Sequence, residues 1–169
     1  MYILAWFACL FFLLSKGEMI SQGPARFFAV DLVTIIIAYL LIYFGTAGAV
    51  IFAIGQGFLI DTFSSGLLGL FTLLYLITFL SIKFGSFFFD LDSLRGQIFL
   101  IFIAVFLREI LLIAFLKTFA MEIFISLTDL LSFVTSALFS GLVAPLLFFV
   151  FNQISRLLIR KETELTYNG

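Results

Sequence analysis

Apolar residues occur in long runs separated by short polar segments and glycine-containing turns. A helix needs about 20 mostly apolar residues to cross a bilayer, and these runs are too long and unbroken for the alternating strands of a membrane barrel. Six runs predict transmembrane helices, over residues 1–14, 27–44, 46–63, 66–82, 96–116 and 130–151. The pattern therefore predicts an all-α polytopic membrane protein with about six helices in one bundle.

The run over residues 1–14 is shorter than the others and has the length of a signal-peptide core. It lacks a basic segment at its start, and no small-residue cleavage site follows it. We interpret it as a retained first helix. Residues 152–169 form a short basic tail, so the whole chain is expected to be a single transmembrane domain.

The composition agrees with this interpretation and excludes several classes of function. Hydrophobic residues make up 64% of the chain and charged residues 11%, against about 25% charged in a soluble domain. The chain has no His and one Cys, which excludes an imidazole base, a His-ligated metal and an internal disulfide. Its net charge of −1 offers no footprint for nucleic acid. No phosphate-binding Gly-Lys motif or nucleophile–base arrangement is visible, so we expect a non-enzymatic protein without cofactor or metal.

Lys and Arg near the ends of the predicted spans indicate the orientation, because they accumulate on the cytoplasmic side. If both termini are cytoplasmic, the inner segments carry more basic residues than the outer ones. The inner residues are Lys83, Arg95, Arg156, Arg160 and Lys161, and the outer residues are Lys16, Arg26 and Lys117. The basic tail directly after the last span is the strongest indication of this N-in/C-in topology.

Two loops are long enough to be more than connectors: residues 83–95 on the inner side and 117–129 on the outer side. The first contains three consecutive phenylalanines. The second has Phe119, Ile123 and Leu127 at helical spacing, which is typical of a short helix in the membrane interface. Each loop is either a connector whose aromatic residues dip into lipid or a surface on which a partner docks.

Small residues recur every four positions in two of the predicted spans. They are Ala49, Ala53 and Gly57 in the third span and Ser136, Ser140 and Ala144 in the last. Residues four apart share one face of a helix, and small side chains let two helices approach closely in a membrane. We predict that both stripes are helix-packing faces, the alternative being a face that lines a ligand.

Arg108 and Glu109 lie within the fifth predicted span, where a charge costs about 2.5–3.5 kcal/mol on insertion scales. Such residues face protein or a water-filled cavity rather than lipid. Adjacent residues on a helix point about 100° apart and do not face each other. We therefore expect each of these two charges to need a partner on another helix.

The predicted topology brings five ionisable residues to the outer half of the bundle. They are Asp31, Asp61, Arg108, Glu109 and Asp129. We predict that Arg108 pairs with Asp61 or Asp31, and that the group lines a polar pocket or groove. Two interpretations remain open: an ion pair that simply locks the bundle, and a site for a ligand or an extracytoplasmic partner.

The order of short motifs along the chain resembles that of a known family. The motifs are, in order, Asp31-Leu32, Gly57-Phe58-Leu59-Ile60-Asp61, Gly66 with Gly69, and Ala144-Pro145 ahead of the basic tail. Over residues 28–160 this pattern is similar to the MreD family of bacterial rod shape-determining inner-membrane proteins. Members of that family usually have proline directly before the first of these aspartates, whereas this chain has Val30.

The resemblance implies a non-enzymatic membrane scaffold of the cell-elongation machinery, which helps to position lateral peptidoglycan synthesis in the bacterial inner membrane. Its expected partner is MreC, with MreB and the RodA–penicillin-binding-protein synthase as further partners. The family is also similar in architecture to the substrate-binding components of energy-coupling-factor transporters. The alternative function is therefore a small-molecule, vitamin-like substrate-binding subunit of a transporter, with the polar cluster as its solute site. Homo-oligomerisation is left open.

Overall fold

A computed structural model describes residues 30–63, 68–90, 93–118 and 127–167, the last range with side chains as far as Ser155. Within these ranges every regular element is an α-helix. The helices are α1 (Leu32–Phe63), α2 (Leu70–Gly85), α3 (Leu94–Thr118) and α4 (Leu127–Tyr167). The prediction of an all-helical protein is confirmed over the described residues, and the predicted span over residues 1–14 lies outside them.

Three of these helices are long and apolar enough to cross a membrane, namely α1, α3 and the Leu127–Ser155 part of α4. Helices of this length and composition indicate a membrane protein. The fourth, α2, is also apolar but has 16 residues. That is about 24 Å of helix, against about 30 Å of hydrocarbon core. It begins and ends a few residues later than the predicted range 66–82.

Helix α4 is longer than its apolar part. It has 41 residues, or about 61 Å of helix, roughly twice the thickness of the hydrocarbon core. The sequence predicts a basic tail from residue 152, and in the structure most of this tail continues the helix, as far as Tyr167. The helix is therefore long enough to project from the bilayer.

Gly45 divides α1 into a first arm, residues 32–44, and a second arm, residues 46–63. The break lies where the sequence predicts a turn between two spans. Gly45 has a φ of 82° and a ψ of 178°, a backbone region open essentially to glycine alone. A Cβ here would have no other atom within 4 Å. Glycine is thus needed for its backbone conformation and not for space.

The first arm of α1 forms the centre of the bundle. Every side chain from Val33 to Leu40 is buried, with at most 3% of its surface exposed. A helix that is buried on all sides is expected to be apolar all round. This stretch meets that expectation, with Thr34 as its one strongly polar side chain.

The first arm of α1 and helix α4 run in the same direction. The backbone N–H of Asp31 donates to Ser140 Oγ at 2.9 Å. Further along both helices, the ring centroids of Tyr39 and Phe148 are 5.7 Å apart. Because the residue numbers rise together along this interface, the two helices are parallel. The predicted topology also gives these two spans the same direction.

Several polar side chains lie inside the bundle beside its apolar core, and many large apolar side chains lie on its surface. Thr34, Gln56 and Ser140 are each 0% exposed. By contrast, 63% of Phe58 and 69% of Phe149 are exposed. Lipid solvates apolar groups but cannot form hydrogen bonds with polar ones, so this distribution suits a bundle whose surroundings are hydrocarbon.

We expect Gly45→Ala to lower the free energy of unfolding by about 1–3 kcal/mol, which is the cost of holding another residue in this backbone region. The measurement is the thermal unfolding midpoint of the purified protein in detergent. Thr46→Ala, at the exposed helical position next to it, is the control and should leave the midpoint unchanged. Equal midpoints for the two variants would contradict the role assigned to Gly45.

Candidate functional site

Arg108 lies at a junction of helices that we call the Arg108 centre, made of Arg108 with Asp31, Tyr75 and Glu109. Its Nη1 donates to Asp31 Oδ2 at 2.5 Å and to the Tyr75 hydroxyl at 3.3 Å. Its Nη2 donates to Glu109 Oε1. The guanidinium carbon lies 5.8 Å from the centre of the Tyr75 ring. Three helices, α1, α2 and α3, therefore meet at one cation.

Asp31 reaches this centre because it is the residue that caps α1. Its Oδ1 accepts from the backbone N–H of Thr34 at 3.3 Å, and its Oδ2 accepts from the Thr34 hydroxyl. A carboxylate at this position satisfies an N–H that has no partner within the helix, and the helix dipole favours its charge. The hydrogen bond from the N–H of Asp31 to Ser140 Oγ attaches the centre to α4 as well.

The structure selects one of the two predicted partners of Arg108. Among the described residues, the ion pairs of Arg108 are with Asp31 and Glu109, and Asp61 is engaged elsewhere. Glu109 was expected to have its partner on another helix, but among the described residues its ion-pair partner is the adjacent Arg108. Neighbouring Cβ atoms do diverge, but the arginine side chain is long enough to turn its guanidinium back toward the next residue.

Asp61 caps the helix that follows it. Its Oδ1 accepts from the backbone N–H of Phe71 at 2.9 Å, and its Oδ2 accepts from the N–H and the hydroxyl of Thr72 at 3.0 and 2.6 Å. These N–H groups belong to the first turn of α2, whose own N-cap residue, Gly69, has no side chain to accept from them. Asp61 thus supplies the cap from the end of α1, with its charge at the positive end of the α2 dipole.

Gly57 brings this cap within reach by letting the two backbones touch. A Cβ at Gly57 would lie 2.4 Å from the Cα of Thr72, far inside any real contact. Ala53 and Ala49, one and two turns earlier, are each 0% exposed. The predicted stripe of small residues therefore faces the interior. Its last member lies directly against α2, and Asp61 follows one turn later.

The second predicted stripe, on α4, is also buried. Ser136 is 6% exposed, and Ser140 and Ala144 are 0% exposed. Next to Ser140, a Cβ at Gly141 would lie 2.9 Å from the carbonyl oxygen of Ile98 on α3. Helix α4 therefore packs closely against α3 at the level where it also binds the start of α1.

Not all five predicted ionisable residues gather at one level. Asp61 and the Arg108 centre both contact the first two turns of α2, at Thr72 and Tyr75. Asp129 lies in the first turn of α4, about three turns before Ser140, or ~16 Å along the helix axis. Asp129 is thus well separated from the level at which α4 contacts the Arg108 centre.

Sequence reasoning missed Thr34, Thr72 and Tyr75. The role of Thr34 could have been predicted, because Thr34 lies three residues after Asp31. An N-cap side chain typically accepts from the backbone N–H at this spacing. Thr72 and Tyr75 carry no such signal within an apolar helix. Their roles depend on Asp61 and Arg108, which lie 11 and 33 residues away along the chain.

Glu109 is the least engaged carboxylate of the site. Asp61 accepts three hydrogen bonds and Asp31 accepts from two residues, whereas the described contacts of Glu109 are with Arg108. Glu109 is itself buried, at 8% exposed, beside Ile110, which is 47% exposed. Of the three carboxylates, Glu109 has the fewest described hydrogen bonds and therefore the most capacity to accept another.

Comparison with protein-family models, curated proteins and solved structures finds no match. In the part of the chain that the structure describes, no three His, Cys, Asp or Glu residues are grouped so that they could hold a metal ion. The Arg108 centre offers one guanidinium and two carboxylates, a set suited to ion pairing and hydrogen bonding. Function must therefore be inferred from this geometry and from the family resemblance.

We expect Arg108→Met to destabilise the protein by about 3–5 kcal/mol, because it leaves two buried carboxylates without their cation. Asp31→Asn should lower the free energy of unfolding much less in the Arg108→Met variant than in the wild type, since the ion pair is already lost there. Thermal unfolding of the four proteins of this double-mutant cycle measures the coupling. Lys117→Met removes an exposed charge at the end of α3 and should have little effect. Additive effects to within about 0.5 kcal/mol would contradict a direct pair.

We expect Gly57→Ala to destabilise the protein by about 1–3 kcal/mol, because the new Cβ would overlap the backbone of Thr72, which cannot move aside as a side chain could. Gly57→Leu should also lower the amount of protein in the membrane fraction. Phe58→Leu, at the exposed neighbouring position, is the control for both measurements. Normal accumulation and an unchanged unfolding midpoint for both Gly57 variants would contradict the packing role.

Proposed function

We propose that this chain is a membrane scaffold of the bacterial cell-elongation machinery, related to the MreD family, and that it binds MreC beside the Arg108 centre. One observation carries the proposal. Two of the motifs that carry the family resemblance form neighbouring helix junctions: Asp31 belongs to the Arg108 centre, and the run from Gly57 to Asp61 packs against and caps α2. Motif residues that join helix ends are stronger support than the same residues dispersed over a bundle.

The proposal includes six transmembrane helices, an N-in/C-in topology and a location in the bacterial inner membrane. The three membrane-length helices and the shorter apolar α2 support it. The break at Gly45 supports counting α1 as two spans. With residues 1–14 as the first span, the total is six. A bundle similar to that of the energy-coupling-factor substrate-binding components is part of the same proposal.

The chemistry of the site favours binding over catalysis. Asp31 and Asp61 are already occupied by helix-capping hydrogen bonds and, for Asp31, by an ion pair. Both carboxylates are therefore committed to contacts within the bundle. Glu109 has capacity for one more donor, such as a cationic side chain or a backbone N–H of MreC. We accordingly propose a non-enzymatic protein, with MreB and the RodA–penicillin-binding-protein synthase reached through the same assembly.

Depletion and co-purification test the proposed class of function. Depleting the protein in the bacterium that produces it should convert rod-shaped cells into spheres, as seen by microscopy. The tagged full-length chain should recover MreC from solubilised membranes. Unchanged cell shape together with a defect in vitamin uptake would contradict the scaffold and favour the transporter subunit.

Glu109→Gln tests the proposed binding position. Glutamine keeps the shape of the side chain and one acceptor but removes the charge, so we expect recovery of MreC to fall at least threefold while the protein still accumulates in the membrane. Asp90→Asn is the matched control, since this exposed carboxylate lies beyond the opposite end of α2. Undiminished recovery with Glu109→Gln would exclude Glu109 from the MreC contact.

A further inference from the structure

Gln56 is completely buried, and its amide has no hydrogen-bond partner among the described residues. Its exposed fraction is 0%, and both Nε2 and Oε1 lack a partner. Burying an unpaired amide is strongly unfavourable, and lipid cannot supply the missing bonds. Packing alone would place an apolar side chain here, as it does at Phe52 and Ala53 on the same face of α1.

A second buried donor without a partner belongs to the Arg108 centre. Within the described residues, Nε of Arg108 makes no hydrogen bond, although Nη1 and Nη2 are both engaged. The carboxylates of Asp31 and Glu109 accept from these two terminal nitrogens and not from Nε. Nε is therefore free to donate to a further group.

The two unpaired groups occur at nearly the same level of the bundle. Gly57, directly after Gln56, lies against Thr72 of α2. Tyr75, one turn further along α2, accepts a hydrogen bond from Arg108 at 3.3 Å. Gln56 and the Arg108 centre are thus separated by about one helical turn along α2, or ~5 Å.

We propose that ordered water occupies a polar site between the second arm of α1, α2 and α3, held by the Gln56 amide and extending to Nε of Arg108. Water both donates and accepts, so one kind of ligand satisfies Oε1 and Nε2 of Gln56 and the arginine donor. Buried waters typically make about three such bonds to groups that the protein leaves unpaired. This inference is independent of the proposed scaffold function.

Hydroxyl-radical footprinting with X-rays tests the proposal on the full-length protein in detergent, because radicals formed from bound water label the side chains that touch it. We expect Phe52 and Tyr75 to be labelled at least threefold more than Phe148, a buried aromatic residue of α4. Gln56→Met keeps the side-chain volume and removes the amide, and it should lower this labelling at least threefold. Thr78→Val is the control, because the Thr78 hydroxyl is satisfied by the Leu74 carbonyl at 2.8 Å.

Labelling of Phe52 and Tyr75 no higher than that of Phe148 in the wild-type protein would overturn the proposal, and this result does not depend on any variant folding. Equal labelling of the wild type and Gln56→Met would also overturn it. So would a structure of the protein in which the Gln56 amide binds another side chain of the chain.

Discussion

Polar groups inside this bundle must form their hydrogen bonds with the protein or with water enclosed in it, because lipid offers no partners. The contacts of Arg108 and of its partner Asp31 connect four helices in this way. Arg108 binds α1 through Asp31, α2 through Tyr75 and α3 through its own neighbour Glu109. Helix α4 joins through Ser140, which accepts from the N–H of Asp31. Breaking a buried ion pair costs about 3–5 kcal/mol, a large share of the 5–15 kcal/mol that stabilises a typical protein. The relative positions of the helices therefore depend on this one side chain.

The backbone groups at the helix ends also need hydrogen-bond partners that lipid cannot supply. The first N–H groups of a helix have no partner within it, and in a membrane bundle the protein must provide one. Asp31 does so for its own helix, whereas Asp61 does so for the next helix. Because Asp61 binds two successive N–H groups of α2, it also determines how far α2 is shifted along α1. The close contact at Gly57 permits only a narrow range of such shifts.

Local patterns were enough to predict that the described elements are helices, that the chain breaks at Gly45 and that Arg108 faces protein, because each follows from composition over a short stretch of chain. The choice of Asp31 over Asp61 as the partner of Arg108 could not be predicted, since both aspartates end or begin a span at a similar depth. Gly69 has no side chain that could cap α2. Asp61 forms that cap instead, and Asp31 pairs with Arg108. The pairing of Glu109 with Arg108 was missed because helical spacing describes where Cβ atoms point and not how far a long side chain can turn.

The arrangement has a consequence for the proposed scaffold function. In that proposal, a donor from the partner binds Glu109 beside Nη2 of Arg108 and so acts on the group that joins all four helices. Coupling between sites in proteins is typically 1–3 kcal/mol, less than the 3–5 kcal/mol that loss of the buried pair costs, so such binding can shift the helices without unfolding the bundle. Helix α4 continues from Ser140 near this centre to Tyr167, beyond its apolar part. In the proposed function, this one continuous helix would carry a small displacement at the Arg108 centre out of the membrane and so link a partner on one side to an assembly on the other.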